Sequence, residues 1–312
     1  MSTDQLLSEP ETITRRPVPV ARPMPSLRFR RVRALVLLVA VVLLVWGGVR
    51  LIGWVASDAG GPGSGRADVP PPPTSQSASA ALVDVVAART QGIKGDTAVG
   101  VLDLGTGVTA TYAVDKVFPT ASIVKLDILA ALLLQSDGEL TQGQEARAKR
   151  MIQNSDNAAA TALWKAIGGA KGLNRANQTL GLTRTTPGTQ ARWGLTTTTV
   201  ADQLRLLSVI FTDDSPLSAE SRGFVRTLMG HVADDQAWGV SAGDDPGGAG
   251  SHLKNGWLPR SGGWIVNSVG QVEHAGHTLL VVALSDGRPS KSVGIDVLEG
   301  ISADAVKATT GG

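Results

Sequence analysis

Ser122 and Lys125 stand three residues apart at the head of a long apolar run, Ser122-Ile123-Val124-Lys125-Leu126-Asp127-Ile128-Leu129-Ala130-Ala131-Leu132-Leu133-Leu134. Residues three apart share one face of a helix, so the Lys125 amine can reach Ser122 Oγ. A lysine partly withdrawn from water loses basicity and can then act as the base for a serine nucleophile. That pair suits acyl transfer. Alone, the spacing is common, and Ser122 could equally be a helix N-cap.

Two further groups carry suitable chemistry. Ser155-Asp156-Asn157 interrupts a helical region with a polar triplet, and Lys254-Asn255-Gly256, followed by Trp257, lies near the end of the chain. Taken singly, the first also reads as a capping loop and the second as a lysine on an edge strand. Other nucleophile systems fit less well. The four histidines (231, 252, 274 and 277) lie in the last third without an i, i+4 metal pair, and a Ser-His-Asp triad would need His252 or His274 beside the serine. The single tyrosine, Tyr112, precedes the serine, and the absence of cysteine excludes thiolate metal sites, disulfides and cysteine nucleophiles.

The elements that must position these groups follow from the pattern. Residues 81–88 have helical spacing, 97–104 and 108–112 read as two strands about a Gly105-Thr106-Gly107 turn, and 121–134 is a helix apolar on nearly every face, which belongs inside a domain. Helices are expected at 144–153, 158–167, 173–180, 200–211, 218–232 and 293–306. Strands are expected at 251–256, ending at Gly256, at 263–272 and at 279–284. Strands at both ends around a block of helices predict an α+β fold: an antiparallel sheet whose first and last parts meet, helices on its faces and a helical insertion.

In this order and on these element types, the three motifs resemble those of the class A β-lactamase-like, penicillin-recognising serine hydrolases. The resemblance covers about 81–306. It includes Phe118 ahead of the serine, Ala158 after the triplet, the threonines at 196–199 heading a helix, and Gln236-Ala237-Trp238-Gly239-Val240 ahead of Lys254. It implies a β-lactamase/transpeptidase-like fold with Ser122 as acylated nucleophile, Lys125 as its base and Ser155 as proton relay to the leaving group. It further implies that Asn157 holds the substrate amide and that Lys254 supplies positive potential for a substrate carboxylate. Gly256 would let substrate pair along the strand, and the N–H groups of Ser122 and Trp257 would form the oxyanion hole. Neither cofactor nor metal is implied.

The departures from that family bear on the reaction. No Asp or Glu occurs between Asp156 and Asp202, so the loop before the threonine run lacks the glutamate that activates the deacylating water in hydrolytic class A enzymes. General-base catalysis is worth about 10²–10⁴-fold, so weak deacylation is expected. Asn255 stands where the family usually has a hydroxyl residue, and Trp257 adds bulk at the mouth.

Charge and hydropathy divide the 312 residues unevenly. Residues 1–33 hold seven arginines against Asp4, Glu9 and Glu11, a net +4, whereas the remainder carries 22 basic and 24 acidic residues, a net −2. The globular part therefore lacks the basic excess of a nucleic-acid binder. Residues 1–33 read as a disordered basic tail and 34–56 as a transmembrane helix, the stretch being 23 residues long with only Arg50 charged. Residues 57–80 are a Gly/Pro/Ser-rich linker, and 81–312 form the hydrolase domain. The N-terminal arginines put the tail in the cytoplasm and the domain outside the cell membrane. A cleaved signal peptide is the competing reading, against which the long leader and long apolar run argue.

The expectation is a membrane-anchored, extracytoplasmic serine acyl-enzyme hydrolase acting on a β-lactam or a peptidoglycan-type amide in D,D-peptidase fashion. The alternative is a non-catalytic cell-wall peptide-binding or regulatory domain on the same fold.

Overall fold

The computed structural model describes residues 72–247 and 250–311. The expected tail, the apolar segment 34–56 and the first part of the linker lie outside the described residues, among which no helix is long and apolar enough to cross a membrane. Helix α1, Ser75–Thr90, starts at Thr74. The Ser77 N–H donates to Thr74 Oγ1 at 3.2 Å and the Thr74 N–H to Ser77 Oγ at 2.9 Å, a reciprocal cap. The helix thus begins ahead of the boundary expected at Ala81. Its first turns are Ser and Ala, which carry almost no hydrophobic signal even though Ala78 is buried.

Strands β1 (Asp96–Asp103), β2 (Thr109–Tyr112) and β3 (Phe118–Pro119) lead into a 3₁₀ turn at Ala121–Ile123 and helix α2, Val124–Gln135. Helices α3 (Gln142–Gln153), α4 (Asn157–Ala166) and α5 (Gly169–Leu180) follow. Strand β4 (Thr197–Thr198), helices α6 (Val200–Phe211) and α7 (Ala219–Met229), strands β5 (His252–Arg260), β6 (Gly263–His274) and β7 (His277–Arg288), and helix α8 (Lys291–Thr310) complete the domain.

The five-stranded sheet runs β2-β1-β7-β6-β5, antiparallel throughout, and β1 pairs with β7 from Asp96↔Asp286 to Asp103↔Leu279. Side chains alternate along a strand. In β7, Leu279 and Val281 face the cluster formed with α1 and α8, while Leu280, Val282 and Leu284 face the cluster formed with the helical block. A strand buried on both faces reads as a continuous apolar run, as 279–284 does. Helix α6 lies so close to the sheet that a Cβ on Gly100 would stand 2.4 Å from Val200 Cγ1.

Helix α2 runs through the centre of the helical block and is buried from Val124 to Leu133. Each fully buried Leu or Ile contributes roughly 1.5–3 kcal/mol by removal from water. That excess holds Lys125 and Asp127 inside as well. Strand β5 does not end at Gly256 as expected. It continues through Trp257 to Arg260, paired with β6 from His252↔Gln271 to Arg260↔Gly263. It is an edge strand, where Pro259 is tolerated.

Candidate active site

Ser122 sits in the 3₁₀ turn that opens α2, immediately after Ala121, whose φ is +48°. Ser155, between α3 and α4, has φ +54°. Non-glycine residues in this left-handed region cost on the order of 1–3 kcal/mol and persist only where surrounding packing imposes them. Of six such residues among the described ones, these two fall at the serine and at the triplet expected to serve it.

Asp156 forms the N-cap of α4 by accepting the Ala159 N–H at 2.9 Å, and Arg150 lies 3.2 Å from its other oxygen. These bonds hold its carboxyl below the usual carboxylate range, the Ala159 N–H contributing most. So fixed, the turn presents Ser155 and Asn157 to Lys125. Lys125 Nζ lies 2.9 Å from Ser122 Oγ, 2.7 Å from Ser155 O, 3.0 Å from Ser155 Oγ and 2.9 Å from Asn157 Oδ1. A neutral amine would donate two hydrogens to the pure acceptors Ser155 O and Asn157 Oδ1 and turn its lone pair to the hydroxyls. Burial lowers the Lys125 pKa to about 7, against the opposing charge of Asp156.

Lys254 reaches the same place from β5. It is 1% exposed, with Nζ 3.1 Å from Ser155 Oγ and 2.8 Å from Asn255 O. Burial, and after it the charge of Lys125, drives its pKa well below that of a free lysine. Gly256 fills the gap between strand and helix. A Cβ there would stand 2.6 Å from Ser122 N and 2.8 Å from Ile123 N, so only glycine lets β5 approach the Ser122 amide this closely.

Asn255, expected to contact substrate, is turned inward. Fully buried, it donates to Gln236 O at 2.7 Å and to Trp238 O at 2.8 Å, which ties the 236–238 segment to β5. Its NH2 group is spent on backbone carbonyls, and its buried Oδ1 has no partner among the described residues. Trp257 does line the cleft beside Ser122, and the Lys291 ammonium lies 3.8 Å from its ring centroid.

That cleft has a volume of about 400 Å³ and is bounded by Ser122, Asn157, Thr161, the 191–195 loop, Trp257, Leu258 and Arg260. No Asp or Glu is among its lining residues. A second cleft of about 380 Å³, lined by Leu133, Glu145 and Phe224 among others, holds none of the motif residues. The histidines stand apart from the Ser122 cleft: His277 pairs with Asp103 at 2.7 Å, His274 with Asp245 at 3.2 Å, and His252 packs edge-on against Phe211.

Sequence reasoning missed several contributors. Trp193 lies with its ring centroid 5.0 Å from Lys125 Nζ and donates its indole N–H to Thr161 Oγ1 at 3.1 Å. Asn267, on β6, donates to Pro119 O at 2.8 Å and to Thr120 O at 3.0 Å, which fixes the approach to Ser122. The one signal that could have found it is an amide side chain directly after the apolar Ile265-Val266 pair of a buried strand. Asp202 anchors the loop before the threonine run by accepting from the Arg184 N–H at 2.8 Å and from Thr185 Oγ1 at 2.7 Å.

Comparison with known proteins bears on the family and the fold. The family model described as "Beta-lactamase enzyme family" matches residues 78–147 and 145–309. The proteins named Putative lipoprotein LppW, from Mycobacterium bovis and Mycobacterium tuberculosis, are 31% identical over 115 residues, a stretch that covers 36% of this chain and only 37% of theirs. A class A β-lactamase from Bacteroides cellulosilyticus superposes with a TM-score of 0.65 at 17% identity, over 76% of this chain and 99% of its own. A mutant of PBP-A, in an acyl-enzyme complex with penicillin G, gives a TM-score of 0.65 at 21% identity, over 76% and 98%. A β-lactamase from Burkholderia vietnamiensis gives 0.65 at 23%, over 74% and 98%. At these identities the structural likeness establishes the fold.

Proposed function

The chain belongs to the beta-lactamase enzyme family, and on that footing we propose that it is a serine acyl-enzyme hydrolase, D,D-peptidase-like in mechanism, acting on a β-lactam or a peptidoglycan-type amide. The observation that carries this reading is the 2.9 Å contact between Lys125 Nζ and Ser122 Oγ, made by a lysine whose burial brings its pKa to about 7.

The steps balance on the chain's own groups. Lys125, as the free amine, takes the Ser122 hydroxyl proton while Ser122 Oγ bonds to the substrate carbonyl carbon. The N–H groups of Ser122 and Trp257 take up the charge developing on the carbonyl oxygen. As the C–N bond breaks, Ser155 gives its hydroxyl proton to the leaving nitrogen and recovers one from Lys125, 3.0 Å away. Asn157 holds the substrate amide, and Lys254 supplies positive potential for a carboxylate on the leaving side. The result is an ester on Ser122. Its hydrolysis needs a base for water, and the cleft lining offers no carboxylate, so acylation outruns deacylation.

In this reading residues 34–56 anchor the enzyme in the cell membrane with the domain outside, in keeping with the lipoprotein name of the LppW relatives. Incubation of the full-length protein with a fluorescent penicillin tests the acyl-enzyme claim. A covalent adduct by intact mass, absent in Ser122→Ala, is expected. No Ser122-dependent adduct would overturn it in favour of a binding domain. Recovery of the full chain from the soluble fraction would overturn the anchor.

A further inference from the structure

The cleft is asymmetric about Ser122. Its lining includes Ser122, Asn157, Thr161, Trp193, Trp257 and Arg260, but not Ser155 or Lys254. If Ser155 protonates the leaving nitrogen, the leaving group lies on the Ser155–Lys254 side. The cleft is then where the acyl half of the substrate rests.

Two arginines flank that acyl half, Arg192 from the loop before the threonine run and Arg260 from the end of β5. Both are exposed, and neither guanidinium forms an ion pair or side-chain hydrogen bond among the described residues. Most other arginines of the domain are engaged: Arg89 with Asp304, Arg150 with Asp156, Arg184 with Asp115, Arg205 with Asp214 and Arg222 with Asp213. Two free guanidinium groups beside a cleft without Asp or Glu make a field of one sign. A guanidinium is a fork of donors matched to a carboxylate, and such charge-assisted bonds are the strong ones.

We propose that Arg192 and Arg260 form an anion subsite, so that the enzyme prefers acyl donors bearing a free carboxylate on the acyl side of the bond attacked. This rests on the acyl-enzyme reading above. It is separate from the carboxylate held near Lys254, which belongs to the leaving side.

Three penicillins that differ only at the acyl side chain make the test: carbenicillin adds a carboxylate to benzylpenicillin and ampicillin adds an ammonium at the same carbon. The second-order rate of Ser122 acylation of the full-length protein is measured for each by intact mass at low ionic strength. We expect carbenicillin to exceed benzylpenicillin, and benzylpenicillin to exceed ampicillin, with about 10-fold or more between the extremes. The spread should shrink with salt. In the double variant Arg192→Gln, Arg260→Gln the three rates converge, with thermal unfolding as the check that the fold persists, and Arg260→Glu shifts the preference toward ampicillin. Acylation by all three at equal rates overturns the subsite and leaves the acyl-enzyme reading standing. Absence of acylation by all three overturns both.

Discussion

Lys125 and Lys254 bring their Nζ atoms to one oxygen, Ser155 Oγ, at 3.0 and 3.1 Å. Two ammonium groups so placed repel each other, and both lysines are buried. Burial lowers both pKa values, with Lys125 brought to about 7. Ser155 is thereby set between a base able to take a proton from Ser122 and a second amine able to steady the hydroxyl.

The rate of acylation should follow the free-amine fraction of Lys125. Below pH 7 that group gains a proton and ceases to be a base, so the second-order rate should fall about 10-fold per pH unit. Above pH 7 it should level off. A pH–rate profile with a fluorescent penicillin checks this; a profile flat from pH 5 to 8 would remove Lys125 as the base. Lys125→Arg, charged at every accessible pH, should abolish labelling.

Ser155→Ala removes the hydroxyl proposed to relay a proton while leaving Lys125 its contacts to Ser122 Oγ, to the backbone carbonyl at position 155 and to Asn157 Oδ1. Acylation should drop about 10²–10⁴-fold, more with a poor amine leaving group than with a strained lactam. Single-turnover kinetics with both substrate types reads the difference. An equal loss on the two would mean that Ser155 acts only by holding the lysines.

With no carboxylate lining the cleft, an acylated enzyme should persist. Penicillin turnover should show a burst of one product per enzyme and then a slow steady state. Steady turnover without a burst would mean that a base outside the cleft lining activates water.

How much of this was legible depended on whether residue type alone reports position. Ser122, Lys125, Ser155, Asn157 and Lys254 are unusual for the elements that carry them, so spacing exposed them and the fold brought them together. Trp193, Arg192 and Arg260 sit in a loop and at a strand end, where their types are ordinary. The left-handed backbone at Ala121 and Ser155 leaves no mark because neither residue is glycine. The inward turn of Asn255 did not show, because a motif position identifies the residue but not the direction its side chain takes. The pairing of β3 with β4 involves two residues on each side, too few for any period to show.

Gly256→Ala should damage catalysis beyond its size. The added methyl would meet backbone atoms, Ser122 N at 2.6 Å and Thr120 O at 2.9 Å, which cannot swing aside as a flexible side chain could. Strand β5 must retreat from the Ser122 amide. We expect at least about a 10²-fold loss of acylation rate from the disturbed oxyanion site, with destabilisation of about 1–3 kcal/mol. Labelling at the wild-type rate would show that the strand and the serine amide do not act together.

The last prediction concerns a carboxyl that the proposed mechanism does not use. Asp127 lies on α2, fully buried, with no well-formed hydrogen bond to either carboxyl oxygen among the described residues; its own N–H and the Gln203 side chain lie near enough to favour the charged form only in part. Burial, with help from the charge of Asp202, pushes its pKa from 3.8 up to about 8. Between those values the native state keeps a proton that the unfolded chain has released, so the contribution of this group to stability is fully present below about pH 4 and is lost as pH rises toward 8. The decline approaches 1.4 kcal/mol per pH unit within that window and stops above it, several kcal/mol in total by order of magnitude. Asp127→Asn keeps the neutral shape and abolishes the titration. Denaturant unfolding from pH 5 to 9 should show the variant gaining on the parent across the window, with the larger advantage at pH 8. A variant no more stable than the parent at pH 8 would mean that Asp127 finds a partner in its charged form.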